Sequence, residues 1–362
     1  MLDEVRALLP GEEVELVGEL GGSRRSRVTR VRAGTRTLIV KEFVDSPGGW
    51  VRESSALTVL AGRVPVAGLV AAAEPTVVMA DLGRGPSVAD ALLGTDPEAA
   101  AAAVESWAVA IARLHQGSYG LRTAFRERLG GRTDEAVIVP GLPEMARKID
   151  QHCADLGISV PPGALDELRG LGHRLGPDSA DGAAALTPAD ACPDNNVTTA
   201  GGLALIDFEN AEWRHIAWDV AYLTVPWPTC WCSWRLPDQV AQRALAAYRA
   251  ANPMPYVTSP AFRSDLAAAA VGWAFISATI FLPAAVQPPA PPRTGKPTPP
   301  RRAMVRHRLA AAAESAELPA LAELAARMHA ELSRRWGPVD LAYAPAFLRS
   351  PSPSGTPEGY GV

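Results

Sequence analysis

The chain has little of what marks several protein classes. Its 35 basic and 39 acidic side chains nearly cancel, and a net charge of −4 gives no general electrostatic case for nucleic acid or an anionic membrane. Cysteine occurs only at Cys153, Cys192, Cys230 and Cys232, which makes no disulfide framework in 362 residues. The stretch MLDEVRALLPGEEVEL is acidic and lacks an apolar signal core, so nothing points to export and a reducing cytoplasm is expected. No internal repeat is found.

What is present suits a globular chain. Apolar residues make up 48% and charged residues 20%, ample for a core, and the length suggests two lobes. One local excess of charge, GGSRRSRVTRVRAGTR, carries Arg24, Arg25, Arg27, Arg30, Arg32 and Arg36 and reads as the solvated face of a hairpin. Leu266 to Val286 runs 21 residues without a charge, long enough to span a bilayer. It is Ala-rich, contains Pro283, and has Ser277 and Thr279 mid-segment and Arg263 and Arg293 beyond its two ends, so a buried helix of a helical lobe is expected.

The first eighty residues predict strands with one helix. EVELVGEL, RSRVTRVRAG, RTLIVKEF, AGLVAAA and TVVMADLG read as strands, and GGWVRESSALTVLAG has helical spacing. This is a small antiparallel sheet with a helix, not a βαβ nucleotide fold. Beyond the linker near Met79 to Pro86 helices dominate: one over PEAAAAAVESWAVAIARLHQG, then others near 142–156, 163–175, 216–224, 238–251, 260–281, 303–315 and 318–335. Residues 184–207 interrupt them with short strands, a loop and a hairpin turning at Ala200 to Gly202. The fold class is therefore α+β: a β-rich lobe over 1–82 and a helical lobe over 83–345. A proline-rich loop at about 283–302 is expected to be non-helical, and a disordered tail is expected over 346–362.

Phosphoryl transfer needs a cation on the phosphates, metal ligands and a group that orients the attacking hydroxyl. Lys41 closes TLIVKEF, where strand alternation points it opposite Val40, toward a cleft. Glu53, one helix on, is placed to pair with it. In LTPADACPDNNV, Asp190 can accept a hydrogen bond from a substrate hydroxyl; Asn195, five positions later, and Asp207, twelve further on, offer the oxygen ligands Mg²⁺ favours. Each signal is weak singly, since a strand-end Lys is usually solvated and DNN is usually a turn. Their order on strand, helix, loop and strand end is the specific signal.

Asp190, Pro193 and Asn195 in ADACPDNNV, followed by LALIDFENAEWRHIAWDVAYL, resemble the aminoglycoside phosphotransferase-like family, whose pattern is H-G-D-x-x-P-x-N, an apolar strand, I-D-[FW]-[ED] and a helix with D-[LV]-A. TLIVKEF, the Glu53 helix, VVMADLG and IARLHQG match in order, so the resemblance covers about residues 12–250. It implies a two-lobed protein kinase-like fold binding ATP (or GTP) and Mg²⁺ between the lobes. It further implies Asp190 as the catalytic aspartate, Asn195 and Asp207 as metal ligands, Lys41 on the α/β-phosphates and Glu53 fixing Lys41. Backbone groups around Met79, Ala80, Asp81 and Leu82 are implied to meet the adenine, and Asp219 to brace the catalytic loop.

Three departures from the pattern stand out. Pro188 and Ala189 replace His-Gly, which bears on loop geometry more than on chemistry. Only Gly21 and Gly22 stand in for a glycine-rich loop, and Cys192 and Asp194 occupy positions where His and Gly are common. Cys192, Cys230, Cys232 and His215 raise a zinc site as a minor alternative to buried cysteines, and Trp227, Trp231 and Trp234 are expected to pack the helical lobe. The expected activity is transfer of phosphate from ATP to a hydroxyl of a small molecule; the alternative is a non-catalytic, kinase-like binding protein. The short stretch between Asp207 and Asp219 leaves no room for a long activation segment and argues against a protein substrate. Aminoglycoside, homoserine, choline, sugar and macrolide acceptors all stay open.

Overall fold

The computed structural model describes residues 2–22, 25–46, 48–179, 182–287 and 297–348. The expected disordered tail beyond residue 348 and the middle of the proline-rich loop lie outside them. The first lobe is a five-stranded antiparallel sheet, β1 (Val14–Gly22), β2 (Ser26–Ala33), β3 (Arg36–Phe43), β4 (Leu69–Ala73) and β5 (Thr76–Ala80), in the order β1-β2-β3-β5-β4. Its two faces follow the period-2 rule. Leu38 and Val40 of β3 join Val5, Leu9, Val14, Val31 and Val78 in a small core on the outer face. Lys41 and Phe43, offset by one, turn inward to helix α2 (Gly49–Leu60).

That outer core corrects the reading of the N-terminus as strands with one helix. Leu2–Leu8 is helix α1, whose Val5 is fully buried and caps the sheet from behind. The basic hairpin also differs from a uniformly solvated face. Arg25, Arg27, Arg32 and Arg36 pair with Glu209, Glu42, Glu15 and Glu12. Arg30 is buried and grips Asp81 with two bonds of 2.6 and 2.9 Å, tying β2 to the linker.

The second lobe is built from helices α3 (Val88–Leu92), α4 (Pro97–Ser118), α5 (Arg122–Leu129), α6 (Ile138–Leu156), α7 (Ala164–Arg174), α8 (Ala217–Val220), α9 (Asp238–Ala251), α10 (Pro260–Ala285), α11 (Arg301–Ala313) and α12 (Pro319–Trp336). Two small antiparallel pairs interrupt them: β6 (Ala184–Thr187) with β9 (Glu212–His215), and β7 (Asn196–Thr199) with β8 (Gly202–Leu205). The linker is seated on the second pair. The Pro86 carbonyl accepts from Thr198 N at 3.1 Å, and a Cβ at Gly85 would lie 1.8 Å from the Thr198 carbonyl, so only glycine fits there.

Among the described residues α10 alone is long and apolar enough to cross a membrane, and 67% of its most apolar window is buried inside the fold. Trp273 packs edge-on to Trp218 of α8 and donates to its carbonyl at 2.7 Å. Gly272 permits this approach, since a Cβ there would meet the Trp218 ring at 2.8 Å. The proline-rich segment was expected to be non-helical from residue 283; instead α10 includes Pro283 and ends at Ala285, and α11 begins at Arg301. A proline near a helix end disturbs only one or two backbone bonds, which the packing of α10 offsets.

His215 closes β9 in full burial, where its Nδ1 accepts from Ala217 N at 3.1 Å and its Nε2 meets Tyr256 Oη at 3.0 Å. Burial pushes its pKa down to about 4, with Asp265 opposing and His115 and Arg174 reinforcing the shift. Between that value and the ordinary 6.5, the unfolded chain binds a proton here that the folded chain refuses, so stability falls as pH falls through this window. We expect His215→Gln, which keeps a hydrogen-bonding side chain without the titration, to remove up to about 3 kcal/mol of the acid sensitivity between pH 6.5 and 4. Urea unfolding at several pH values checks this; parallel pH profiles for parent and variant would contradict it.

Candidate active site

Helix α2 and strand β3 bring Glu53 against Lys41, and the 2.8 Å ion pair is closed to water on both sides. Lys41 also reaches Asp207 at 2.5 Å and Glu209 at 3.0 Å. Burial works against the ammonium, but three carboxylates outweigh it and hold its pKa above the ordinary lysine value. At Glu53 burial leads: with Asp207 and Glu209 adding to it against the pull of Lys41, it pushes the carboxyl up to about 7. Glu209 was absent from the residues singled out in the sequence, although it is the last position of the quoted I-D-[FW]-[ED] pattern.

Asp207 follows the end of β8 with φ +66°, a left-handed backbone that turns its carboxylate to the cleft, where its side chain is 34% exposed. The Ile206 amide donates to the Asn195 carbonyl at 3.1 Å, which ties the strand end to the loop from 188 to 195. Asn195 Nδ2 donates to the Asp190 carbonyl at 2.7 Å, which leaves its Oδ1 as the amide oxygen that could meet a cation. Burial, followed by repulsion from Asp207, pushes the Asp190 carboxyl up to about 6.

Pro188 and Ala189, the departure noted above, now have a geometry. Ala189 has φ +60°, the left-handed region that favours the glycine of the family pattern. The alanine costs about 1–2 kcal/mol there, and the loop is held by other means. Its amide donates to Thr187 Oγ1 at 3.1 Å, and its carbonyl accepts from Arg214 Nη2 at 3.4 Å and Tyr222 Oη at 3.3 Å. Arg214 is fully buried, paired with Glu212 at 3.0 Å and with Asp219. Asp219 in turn meets His115 Nε2 at 3.0 Å, and Trp107 Nε1 donates to the Ala191 carbonyl at 3.0 Å. Asp219 thus reaches the loop through Arg214, a residue that sequence reasoning did not single out.

The linker residues are held by the sheet and by Arg30. Met79 pairs with both Ile39 and Leu69 in the sheet, and the Ala80 amide donates to Gly68 at 2.8 Å. Asp81 gives its carboxylate to Arg30 and the Gly83 amide, and Leu82 is half-buried beyond the sheet.

All four cysteines are buried, as expected, but two of them are joined. Cys192 and Cys230 form a disulfide across 38 residues, with Cα atoms 6.0 Å apart, while Cys153 and Cys232 are buried outside that bond. The sulfurs lie with the Asp190 carboxylate inside 4.8 Å, but bonded to each other they are not metal ligands, and His215 is committed to Ala217 and Tyr256. The soft-metal alternative therefore does not describe this arrangement. Trp227 and Trp234 are buried in the helical lobe as expected, whereas Trp231 is half-buried and donates its indole N–H to Asp194 Oδ2 at 2.7 Å.

A sheet lobe over a helical lobe, with lysine, acid pair and asparagine at the junction, defines a kinase-like protein. The family model described as "Phosphotransferase enzyme family" matches residues 17–257. The chain belongs to that family: it is a small-molecule phosphotransferase with an alcohol group as acceptor. No curated protein matches it in sequence. Among solved structures it is similar to a putative fructosamine-3-kinase from Thermobifida fusca, at 18% identity and a TM-score of 0.52, over 86% of this chain and 98% of that one. It is also similar to a choline/ethanolamine kinase family protein from Mesorhizobium loti, at 18% identity and a TM-score of 0.51, over 90% and 99%. An ethanolamine kinase from Plasmodium vivax aligns at 9% identity and a TM-score of 0.50, over 83% and 82%. At such identities these structures establish the fold.

Proposed function

We propose that the protein transfers the γ-phosphoryl group of ATP to a hydroxyl of a small molecule, with Asp190 orienting that hydroxyl. The carrying observation is the single ammonium of Lys41 shared by Glu53, Asp207 and Glu209 beside the Asp190–Asn195 loop. Four acids there outnumber the nearby cations Lys41 and Arg25, and the Asp207 carboxylate and Asn195 amide offer hard oxygen donors, so the residues fit Mg²⁺. Bound there, Mg²⁺ with ATP supplies the transferable group and offsets its charge.

The chain's own contribution is positioning and electrostatics. Lys41 meets the phosphate oxygens in place of part of its carboxylate contacts, and Glu53 keeps it aimed. Asp190 accepts a hydrogen bond from the acceptor hydroxyl and takes up its proton as the oxygen attacks. Asn195 and Asp207 would hold the metal, and backbone groups around Met79 to Leu82 would meet the adenine.

The test is ADP release with MgATP against a panel of aminoglycosides, ethanolamine, choline, homoserine, sugars and macrolides. Acceptor-dependent release is the expected result. Nucleotide-dependent thermal stabilisation without turnover across the panel would favour a binding protein instead.

A further inference from the structure

The Cys192–Cys230 bond joins the two segments that flank Asp190. Cys192 lies two residues after it, and its Sγ sits 3.1 Å from Asp190 Oδ1. Thr229, next to Cys230, approaches the same oxygen at 3.3 Å. One residue beyond Cys230, Trp231 bonds Asp194 of the loop. On its far side the 226–233 segment is anchored by the buried Arg308, which donates to the Pro228 carbonyl at 2.9 Å and to Ser233 Oγ. Toward the loop around Asp190 the disulfide is the covalent tie, beside the hydrogen bonds of Thr229, long at 3.3 Å, and Trp231.

We propose that Cys192–Cys230 is a redox-controlled clasp that orders the acceptor side of the catalytic loop. Only the naming of this face as the acceptor side rests on the function proposed above. Forming the bond takes one hydrogen from each thiol: two electrons and two protons pass to a disulfide-class oxidant, which leaves as two thiols. A dithiol reductant reverses the transfer. In a reducing compartment such bonds are transient and serve sensing or regulation. In the reduced form the Cys192 thiol gains a hydrogen to donate to Asp190, and the covalent tie between the 229–231 segment and the loop is lost.

The test needs neither nucleotide nor acceptor. The full chain is equilibrated in oxidised or reduced dithiothreitol, alkylated after denaturation, and mapped by peptide mass. The oxidised protein should take label at Cys153 and Cys232 only, and the reduced protein at all four cysteines. Amide hydrogen exchange should quicken about tenfold or more on reduction in peptides covering 188–196 and 226–233, and stay unchanged over 37–60. Cys192→Ser should exchange like the reduced parent without reductant, whereas Cys153→Ser should retain the redox response. Label at Cys192 and Cys230 in the oxidised protein, a Cys230–Cys232 link, or equal exchange in both redox states would overturn the proposal.

Discussion

Asp190→Asn is expected to lower kcat about 10²- to 10⁴-fold, the range associated with loss of a positioned base, and to leave nucleotide affinity unchanged. The amide keeps the shape of the carboxylate but can no longer accept the hydroxyl proton. Stability should not suffer, because burial and the Asp207 charge already disfavour the ionised carboxyl and push it up to about 6. A neutral isostere removes that repulsion, so the variant's melting temperature should equal or exceed the parent's. Steady-state kinetics with thermal denaturation check both halves. A variant retaining most of the parental rate would remove Asp190 from the mechanism.

Asp207→Asn should be at least as damaging for a different reason. The carboxylate is the most open of the three on Lys41, at 34% side-chain exposure against 2% for Glu53 and 3% for Glu209, and so the one able to turn to a metal. Its loss is expected to cut turnover by about 10³-fold or more and to abolish Mg²⁺-dependent stabilisation by ATP. The fold should persist, since Lys41 keeps Glu53 and Glu209. Thermal shift with ATP, with and without Mg²⁺, reads this directly; an undiminished Mg²⁺-dependent shift would contradict the assignment.

Much of this arrangement was legible because it is local. Alternation along β3 separates Val40 from Lys41, and helical spacing carries Glu53 on α2; both are short-range properties of the backbone. The order of Asp190, Asn195 and Asp207 is likewise written in one continuous stretch. What escaped was long-range or short in length. Helix α1 has seven residues and is identified by what it covers, Val31, Leu38, Val40 and Val78, none of which is adjacent in sequence. Strand β9 has four residues and exists by pairing with β6. No spacing rule connects Cys192 to Cys230 across 38 residues, or Arg214 to the carbonyl of Ala189. Glu209 needed the tertiary contact with Lys41 to separate it from an ordinary acid after Asp207. The Pro188–Ala189 departure, which in sequence threatened the loop, is met by Thr187, Tyr222 and Arg214 acting on its backbone.

The central claim is that phosphate passes from ATP to an acceptor hydroxyl under the control of Asp190. Phosphorus-31 NMR of MgATP with an acceptor that stimulates ADP release tests it most directly, run in parallel with the parent and Asp190→Asn. The account predicts a phosphomonoester resonance growing in step with ADP for the parent and absent on the same timescale for the variant. Inorganic phosphate as the sole product, or equal ester formation by both proteins, would contradict it.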